Sequence, residues 1–450
     1  MPSTPIVQYA SRTDVGMRRS ANQDSLAVRL CSEYEEWHRC GHLFVVADGM
    51  GGHAVGDLAS RIAVETLPHA YFKCDAPLVQ NRMKQAIHTA NKAINDRGRE
   101  NREFEGMGTT CSALSLAEGG AFIGHVGDSR VYRVRGGQIE QLTFDHSLQW
   151  EMIRLGRATV DNVELFHPRN VITRCLGPDI HVQVDIEGPF SIEAGDYFIL
   201  CSDGLTNHIS DSEIGQIVAS LPPAESSRLL INLANCRGGT DNSTVVIVGI
   251  DCFPATVSES PDKLTPPQWL DTTRKMSSPS SRGSQIVLAA TAILCLIGGM
   301  TVGVMNKLFP AASLIAAAIL AWQLSRRMAS RPRRHAVDDS ASTAVPIVAT
   351  PEEASSRPHV PNAAFNPKSP YRTLNAGVSD TFLSYLQEVQ SDLVQAAQDG
   401  AWEIDFDDVT ALNQQAVSNQ QAGKLTQTIR FRAKAIDLLM REMYLRSRSN

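Results

Sequence analysis

Hydrophobic and polar positions change their period between residues 43 and 63. Leu43, Phe44, Val45 and Val46 run without a polar break, Ala47 follows, and the run stops at an acid, Asp48. After the turn Gly49-Met50-Gly51-Gly52, apolar positions return at Val55, Leu58, Ala59, Ile62 and Ala63. That i, i+3, i+4, i+7, i+8 spacing marks one buried face of a helix. The pattern predicts a buried strand ending at Asp48, then a helix. The same phrase returns at Tyr197-Phe198-Ile199-Leu200-Cys201, with Asp203 in the matching place. Further strands are expected at 111–116 and 244–250, and a second helix at 76–100. A hairpin is expected with arms 121–128 and 129–134 and a turn at Gly136-Gly137. Residues 144–175 are polar and irregular apart from a helical piece at 149–155, and read as a flexible flap. Residues 1–252 are thus expected to form one domain of helices and strands.

The pattern changes again near Asp251. Residues 253–284 are rich in Pro, Ser and Thr and read as a linker. Residues 286–305 carry no charge and are long enough to cross a bilayer core about 30 Å thick. Residues 308–324 form a second apolar run, with Trp322 placed for an interface. Arg274, Lys275 and Arg282 precede the pair, and Arg326, Arg327, Arg331, Arg333 and Arg334 follow it. Lys307 is the only basic residue between the two runs. The expectation is a two-helix transmembrane hairpin with both ends cytoplasmic, anchored in the cytoplasmic membrane. The arginine cluster then acts as topology determinant and lipid-headgroup contact. Residues 325–375 are basic and then linker-like, and 376–450 are expected to be helical. There Phe382, Leu383, Leu386 and Val389 recur at helical spacing, and Gly423-Lys424-Leu425 opens a second helical run. That run looks like half of a tetratricopeptide-type pair. A small bundle or a helix that binds a protein partner is expected.

Composition limits the rest. A chain of 450 residues exceeds one ordinary domain, and a net charge of −6 gives no support to nucleic-acid binding. The nine cysteines are scattered with no C-x-x-C pair, so neither a disulfide framework nor a thiolate metal site is expected. The start, MPSTPIVQYASRTDVG, lacks the basic and apolar regions of a signal peptide, so residues 1–252 are expected in the cytoplasm.

Candidate chemistry rests on aspartates in a repeated setting. Asp48, Asp128 and Asp203 follow strands, Asp241 precedes one, and Asp24 stands before an alternating stretch. Hard oxygen donors with no His or Cys cluster favour Mg²⁺ or Mn²⁺ over Zn²⁺. Converging carboxylates repel, and divalent cations remove that cost. Two such ions about 3.5–4 Å apart can share a water and turn it into a hydroxide nucleophile. Gly49 leaves room for an ion at its own carbonyl, and Gly51-Gly52 permit the turn into the helix.

These phrases carry a resemblance. Arg19-Ser20-Ala21-Asn22-Gln23-Asp24, Val46-Ala47-Asp48-Gly49-Met50-Gly51-Gly52-His53, Met107-Gly108-Thr109-Thr110 and His125-Val126-Gly127-Asp128-Ser129-Arg130 come first. Leu142-Thr143-Phe144-Asp145-His146-Ser147, Leu200-Cys201-Ser202-Asp203-Gly204-Leu205 and Gly239-Thr240-Asp241-Asn242-Ser243-Thr244 follow. Residues 8–250 therefore resemble the metal-dependent serine/threonine protein phosphatases of type 2C (PPM), in their bacterial form. The resemblance implies a four-layer α-β-β-α sandwich of two antiparallel sheets flanked by helices. It implies two or three Mn²⁺ or Mg²⁺ ions, with Asp48 bridging two of them and Gly49 offering its carbonyl. Asp203 and Asp241 would hold the second ion, Asp128 with Asp203 a third, and Asp24 would act through water. Arg19 would hold the substrate phosphate, a task suited to its guanidinium fork. Many members carry Glu where this chain has Gln23, which removes one charge near the ions. His53 is a candidate general acid for the leaving oxygen, in competition with water, while His146 reads as an anchor for the flap. The expected substrates are phosphorylated proteins, opposite a cognate serine/threonine kinase. A catalytically silent binding module and a small-molecule phosphatase on the same scaffold are the alternatives.

Overall fold

The uninterrupted apolar runs form strands buried on both faces, as sheets covered on each side require. The computed structural model describes residues 4–51, 55–158, 168, 171–253, 372–400 and 404–447, all within one unit. One sheet has the order β1 (Ile6–Asp14), β11 (Ser243–Cys252), β10 (Tyr197–Cys201), β7 (Arg130–Arg135), β8 (Gln138–Gln141), β12 (Thr373–Asn375). The other runs β2 (Asp24–Arg29), β3 (His42–Met50), β5 (Cys111–Ala117), β6 (Gly120–Val126), β9 (Asp185–Phe190), with β4 (Gly108–Thr109) paired to the end of β3. Neighbouring strands are antiparallel in both.

Helices α1 (Tyr34–Cys40), α2 (Val55–Lys73), α3 (Val79–Glu100) and α4 (Leu148–Arg154) precede β9. Helices α5 (Asp203–Thr206), α6 (Asp211–Ser220) and α7 (Pro223–Cys236) lie between β10 and β11. Strand alternation then assigns the layers. Leu43, Val45 and Ala47 of β3 share a core with Ala59, Ala63 and Leu67 of α2 and with Met83, Ile87 and Ala90 of α3. Val245 and Ile247 of β11 share another with Ile214 and Ile217 of α6 and Leu229, Leu230 and Leu233 of α7. The intervening residues Phe44, Val46, Phe198, Leu200, Val246 and Val248 are equally buried, between the sheets. Two antiparallel sheets with helices outside each are therefore what the alternation builds.

Three details differ from the sequence pattern. The expected hairpin of 121–134 does not form: β6 and β7 belong to different sheets. The chain crosses between them at Gly127, whose φ of 112° suits glycine. β7 instead turns back at Gly136-Gly137 into β8. Second, β3 continues past Asp48 to Met50, because Gly49 and Met50 pair with β4. Third, the innermost face of α2 is Gly56, Ala59, Ser60, Ala63 and Leu67, rotated from the apolar stripe read in the sequence. The cause is backbone packing: a Cβ on Gly49 would stand 2.1 Å from the carbonyl oxygen of Gly56. Small residues let the helix approach the strand that bears Asp48. The predicted linkers and the apolar runs 286–305 and 308–324 lie outside the described residues. Among the described residues no helix is long and apolar enough to cross a membrane.

The C-terminal segment is not separate from the sandwich. β12 pairs with the free edge of β8, and α8 (Asp380–Asp399), α9 (Phe406–Gln421) and α10 (Leu425–Ser447) follow. Phe382, Leu383 and Leu386 of α8 and Ile429, Ile436 and Leu439 of α10 continue the core over α6 and α7. A bidentate pair from Arg430 to Glu225, at 2.7–3.1 Å, ties α10 to α7. Leu386 is fully buried in this layer. Leu386→Ala should therefore cost about 2–5 kcal/mol of stability. Denaturant unfolding of the full chain should show one transition at a lower midpoint. A C-terminal transition that separates from an unshifted main one would contradict a shared core.

Candidate active site

The five predicted aspartates arrive from both sheets at one end of the seam. Asp24 and Asp48 are directly opposite each other in the β2–β3 pair, where like charges are unfavourable. Asp128 lies in the crossing after β6, Asp203 opens α5 at the end of β10, and Asp241 precedes β11. The strand backbones hold them. The Asp48 amide donates to Thr110 Oγ1 at 2.9 Å, and the Asp48 carbonyl accepts from the Thr110 amide at 2.8 Å. The Ser202 hydroxyl donates to Asp24 Oδ2 at 2.7 Å and accepts from the Thr244 amide at 2.9 Å, joining the two sheets beneath the site.

A second set of bonds fixes the loops. Asn242 Nδ2 donates to the carbonyls of Val15 (2.9 Å) and Ala21 (3.0 Å), while its Oδ1 accepts from the Gln23 amide at 2.8 Å. The Gly239 carbonyl accepts from the amides of Met17 and Arg18. The loop of Arg19 and the loop of Asp241 are thus sewn together, and Arg19 Nη2 donates to Asp241 Oδ2 at 2.8 Å. A Cβ on Gly204 would meet the Asn242 carbonyl oxygen at 1.9 Å, so α5 must begin with glycine after Asp203. Gln23 packs its amide against Gly56 at the start of α2. Gly52 and His53 fall outside the described residues, so His53 is not placed.

Burial and mutual charge shape the electrostatics. Burial pushes the Asp48 carboxyl well above the usual carboxylate range, and the charges of Asp24, Asp203 and Asp128 push it further. Burial raises Asp128 too, with Asp203 and Asp145 adding and Arg130 opposing. Asp203 is raised by burial, against a hydrogen bond with Asp48. Burial takes Asp24 up to about 7, against its bond from Ser202. The buried oxygens Asp24 Oδ1 and Asp128 Oδ1 have no hydrogen-bond partner. This is an anionic oxygen cluster short of positive charge, and it fits hard divalent cations in donor type. Among the described residues no three acids, histidines or cysteines stand in finished ligand geometry. Three of the acids are engaged by protein groups: Arg19 pairs with Asp241, Asn207 Nδ2 donates to Asp203 Oδ2 at 3.1 Å, and the Ser202 hydroxyl donates to Asp24.

Behind Asp128 stands a buried group that sequence reasoning caught only in part. His146 Nδ1 accepts from the Gly127 amide at 3.0 Å, which leaves the ring proton on Nε2, aimed at Asp185 Oδ2 2.9 Å away. Arg174 Nη1 donates to Asp185 Oδ1 at 2.7 Å. Burial works against the Asp185 charge, but His146 and Arg174 bring its carboxyl down to about 2. The His146 carbonyl also accepts from the Thr173 amide, so His146 holds both the Asp128 turn and the segment after α4. Arg130 grips Asp145 through Nε and Nη2 at 2.6–3.1 Å. Asp185 and Arg174 sit in no phrase of the motif, and no local signal points to them.

The Asp24 shift predicts a stability signature. In the fold it titrates near 7, against an ordinary 3.8. The folded chain holds a proton that the unfolded chain releases in that window, so this contribution falls as pH rises from about 4 to about 7. Burial lowers His125 to about 3 from 6.5, which gives the opposite slope up to 6.5. Comparing wild type with Asp24→Asn, both stripped of metal, isolates Asp24. The variant should gain on wild type as pH is raised through the window, measured by chemical denaturation. A difference that does not change with pH would contradict the burial of a titrating Asp24.

Comparisons with known proteins agree with this arrangement. Residues 17–227 match the family model described as protein phosphatase 2C. Protein phosphatase PhpP of Streptococcus pneumoniae serotype 2 is 38% identical over 244 residues, 53% of this chain and 96% of that protein. The serine/threonine phosphatase stp of Listeria monocytogenes serovar 1/2a is 36% identical over 247 residues, 53% of this chain and 94% of that protein. The crystal structure of serine/threonine phosphatase Stp1 from Staphylococcus aureus is 30% identical, covers 56% of this chain and 97% of that one, and has a TM-score of 0.50. These similarities favour an enzyme over a silent binding module. With oxygen donors gathered where the two sheets meet, and near-complete coverage of such relatives, the chain belongs to the bacterial protein phosphatase 2C family and is a protein-serine/threonine phosphatase.

Proposed function

We propose that this phosphatase uses Mn²⁺ or Mg²⁺, two or three ions, to hydrolyse phosphoserine and phosphothreonine in proteins. The observation that carries the reading is the cluster itself: Asp48 is buried opposite Asp24 and near Asp203 and Asp128, and burial and these carboxylates raise its carboxyl, a cost that divalent cations remove. Bound there, such cations would supply a water able to act as nucleophile at neutral pH. Asp48, the Gly49 carbonyl, Asp203, Asp241 and Asp128 would hold the ions, with Asp24 acting through water. Arg19 is about half exposed on its Asp241 partner and can swing to a phosphate once cations occupy the aspartates. Its fork then orients the substrate's phosphate. Thr110 fixes the backbone of Asp48, and Ser202 holds the Asp24 carboxylate. His53 is the proposed proton donor to the leaving serine or threonine oxygen.

We further propose that the apolar runs 286–305 and 308–324 anchor the chain in the cytoplasmic membrane, with the catalytic unit and C-terminus on the cytoplasmic side. Membrane-bound phosphoproteins, opposite a serine/threonine kinase, would then meet the enzyme at raised effective concentration.

Full-length protein with Mn²⁺ should release phosphate from a phosphothreonine peptide, lose that activity to a chelator and regain it with Mn²⁺. Asp48→Asn should abolish turnover; unchanged turnover in that variant would sink the metal reading. Arg19→Ala should raise KM by about tenfold while kcat falls less, from loss of a charge-assisted bond to phosphate. An unaltered KM would argue against Arg19 as the phosphate anchor. On fractionation the full chain should sediment with membranes and be released by detergent; recovery in the soluble fraction without detergent would overturn the anchor.

A further inference from the structure

The C-terminal helices touch the catalytic unit at two hydroxyls that lead straight to the aspartate loops. Tyr385 of α8 accepts a hydrogen bond from Arg237 Nε at 2.7 Å, and its ring lies 4.2 Å beneath the guanidinium. Arg237 ends α7, four residues before Asp241. Its Nη1 donates to the His208 carbonyl at 2.6 Å, and its fork grips Glu213 at 2.5 and 2.9 Å. Glu213 is itself fixed as the closing member of the capping box of α6. His208 Nε2 accepts from the Thr240 amide at 3.3 Å and lies 2.9 Å from the Thr240 hydroxyl. One guanidinium therefore ties together the segment after Asp203 and the segment before Asp241. Tyr385 supplies, from α8, the acceptor for its Nε.

Tyr444 of α10 makes the second contact. Its hydroxyl accepts from Asn235 Nδ2 at 2.5 Å, and the same amide donates to Asp14 Oδ1 at 3.0 Å. Asp14 in turn receives the Gly16 amide at 2.9 Å. Gly16 and Gly239 are the close-packed corners of the Arg19 and Asp241 loops: a Cβ on Gly16 would meet the Asp241 carbonyl oxygen at 2.3 Å. A Cβ on Gly239 would meet Asn235 Oδ1 at 2.6 Å. Loops this tightly packed transmit a shift rather than absorb it.

We propose that Tyr385 and Tyr444 are positioning residues for the phosphatase reaction. Tyr385 acts through Arg237 on the Asp203 and Asp241 loops, and Tyr444 acts through Asn235 and Asp14 on the loop of Arg19. The C-terminal segment is thereby part of the catalytic apparatus without touching substrate. The inference rests on the metal and phosphate roles proposed for those loops. Each tyrosine loads a different loop, so the two have separable effects.

The test uses full-length protein in detergent, stripped of metal. Mn²⁺ affinity is read by titration calorimetry, steady-state kinetics by phosphopeptide turnover, and folding by thermal melting. Tyr385→Phe keeps the ring under Arg237 and removes the hydroxyl; it should weaken Mn²⁺ binding by about three- to tenfold with little change in melting. Arg237→Lys, which keeps the charge and loses the fork, should show the same loss. Tyr444→Phe should raise KM by about three- to tenfold while Mn²⁺ affinity stays within about twofold. Arg430→Gln removes a docking contact that leads to neither loop and should leave both quantities as in wild type. Folded Tyr385→Phe, Arg237→Lys and Tyr444→Phe proteins with wild-type Mn²⁺ affinity and KM would overturn the proposal and leave the metal reading intact. Wild-type protein that binds no Mn²⁺ would overturn both.

Discussion

Like charge at close range, out of water, is the constraint on which the active-site end of this molecule depends. Asp24 faces Asp48 across one strand pair, and Asp128, Asp203 and Asp241 come toward them from the loops of both sheets. Left alone, such a cluster opens or takes up protons. The fold opposes the first by fixing the Asp48 backbone through Thr110, the Asp24 carboxylate through Ser202 and the loops of Arg19 and Asp241 through Asn242. Burial and mutual charge raise the carboxyls of Asp24, Asp48, Asp128 and Asp203, which is the cost of holding them together. A site that stores this cost is poised for cations, and Arg19, about half exposed, already stands on Asp241.

The outer layers follow from the same need for rigidity. Small residues on α2 bring its backbone against Gly49, so the strand bearing Asp48 is buttressed by helix backbone rather than by side chains that can change rotamer. On the other flank, α6 and α7 support β10 and β11, and α8 and α10 cover them in turn. Tyr385 and Tyr444 make that cover more than a lid over apolar surface. They meet Arg237 and Asn235, the two side chains that set the approach to Asp241 and Arg19. Behind Asp128, His146 and Arg174 meet Asp185 of β9 and perform the same service beside the second sheet.

By itself the amino-acid order made the buried strands β3, β5, β10 and β11, the helices α2 and α3 and the acids legible, but not β1, β9, α6 or α7. Buried strands write themselves as unbroken apolar runs, and an acid or glycine at the end of one is a local event visible in a window of a few residues. The aspartates were legible for that reason, and Arg19 through the phrase around it. Tertiary structure decided everything that depends on which segments meet. It sent β6 and β7 to different sheets, since a crossing at Gly127 and a hairpin turn look alike in sequence. It turned the buried face of α2 toward its smallest residues, because the distance between two backbones is not written in either one. It brought Asp185 to His146 and Tyr385 to Arg237 across 39 and 148 positions. Contacts of that separation depend on packing that no local period encodes, and through them the C-terminal helices became part of the catalytic unit.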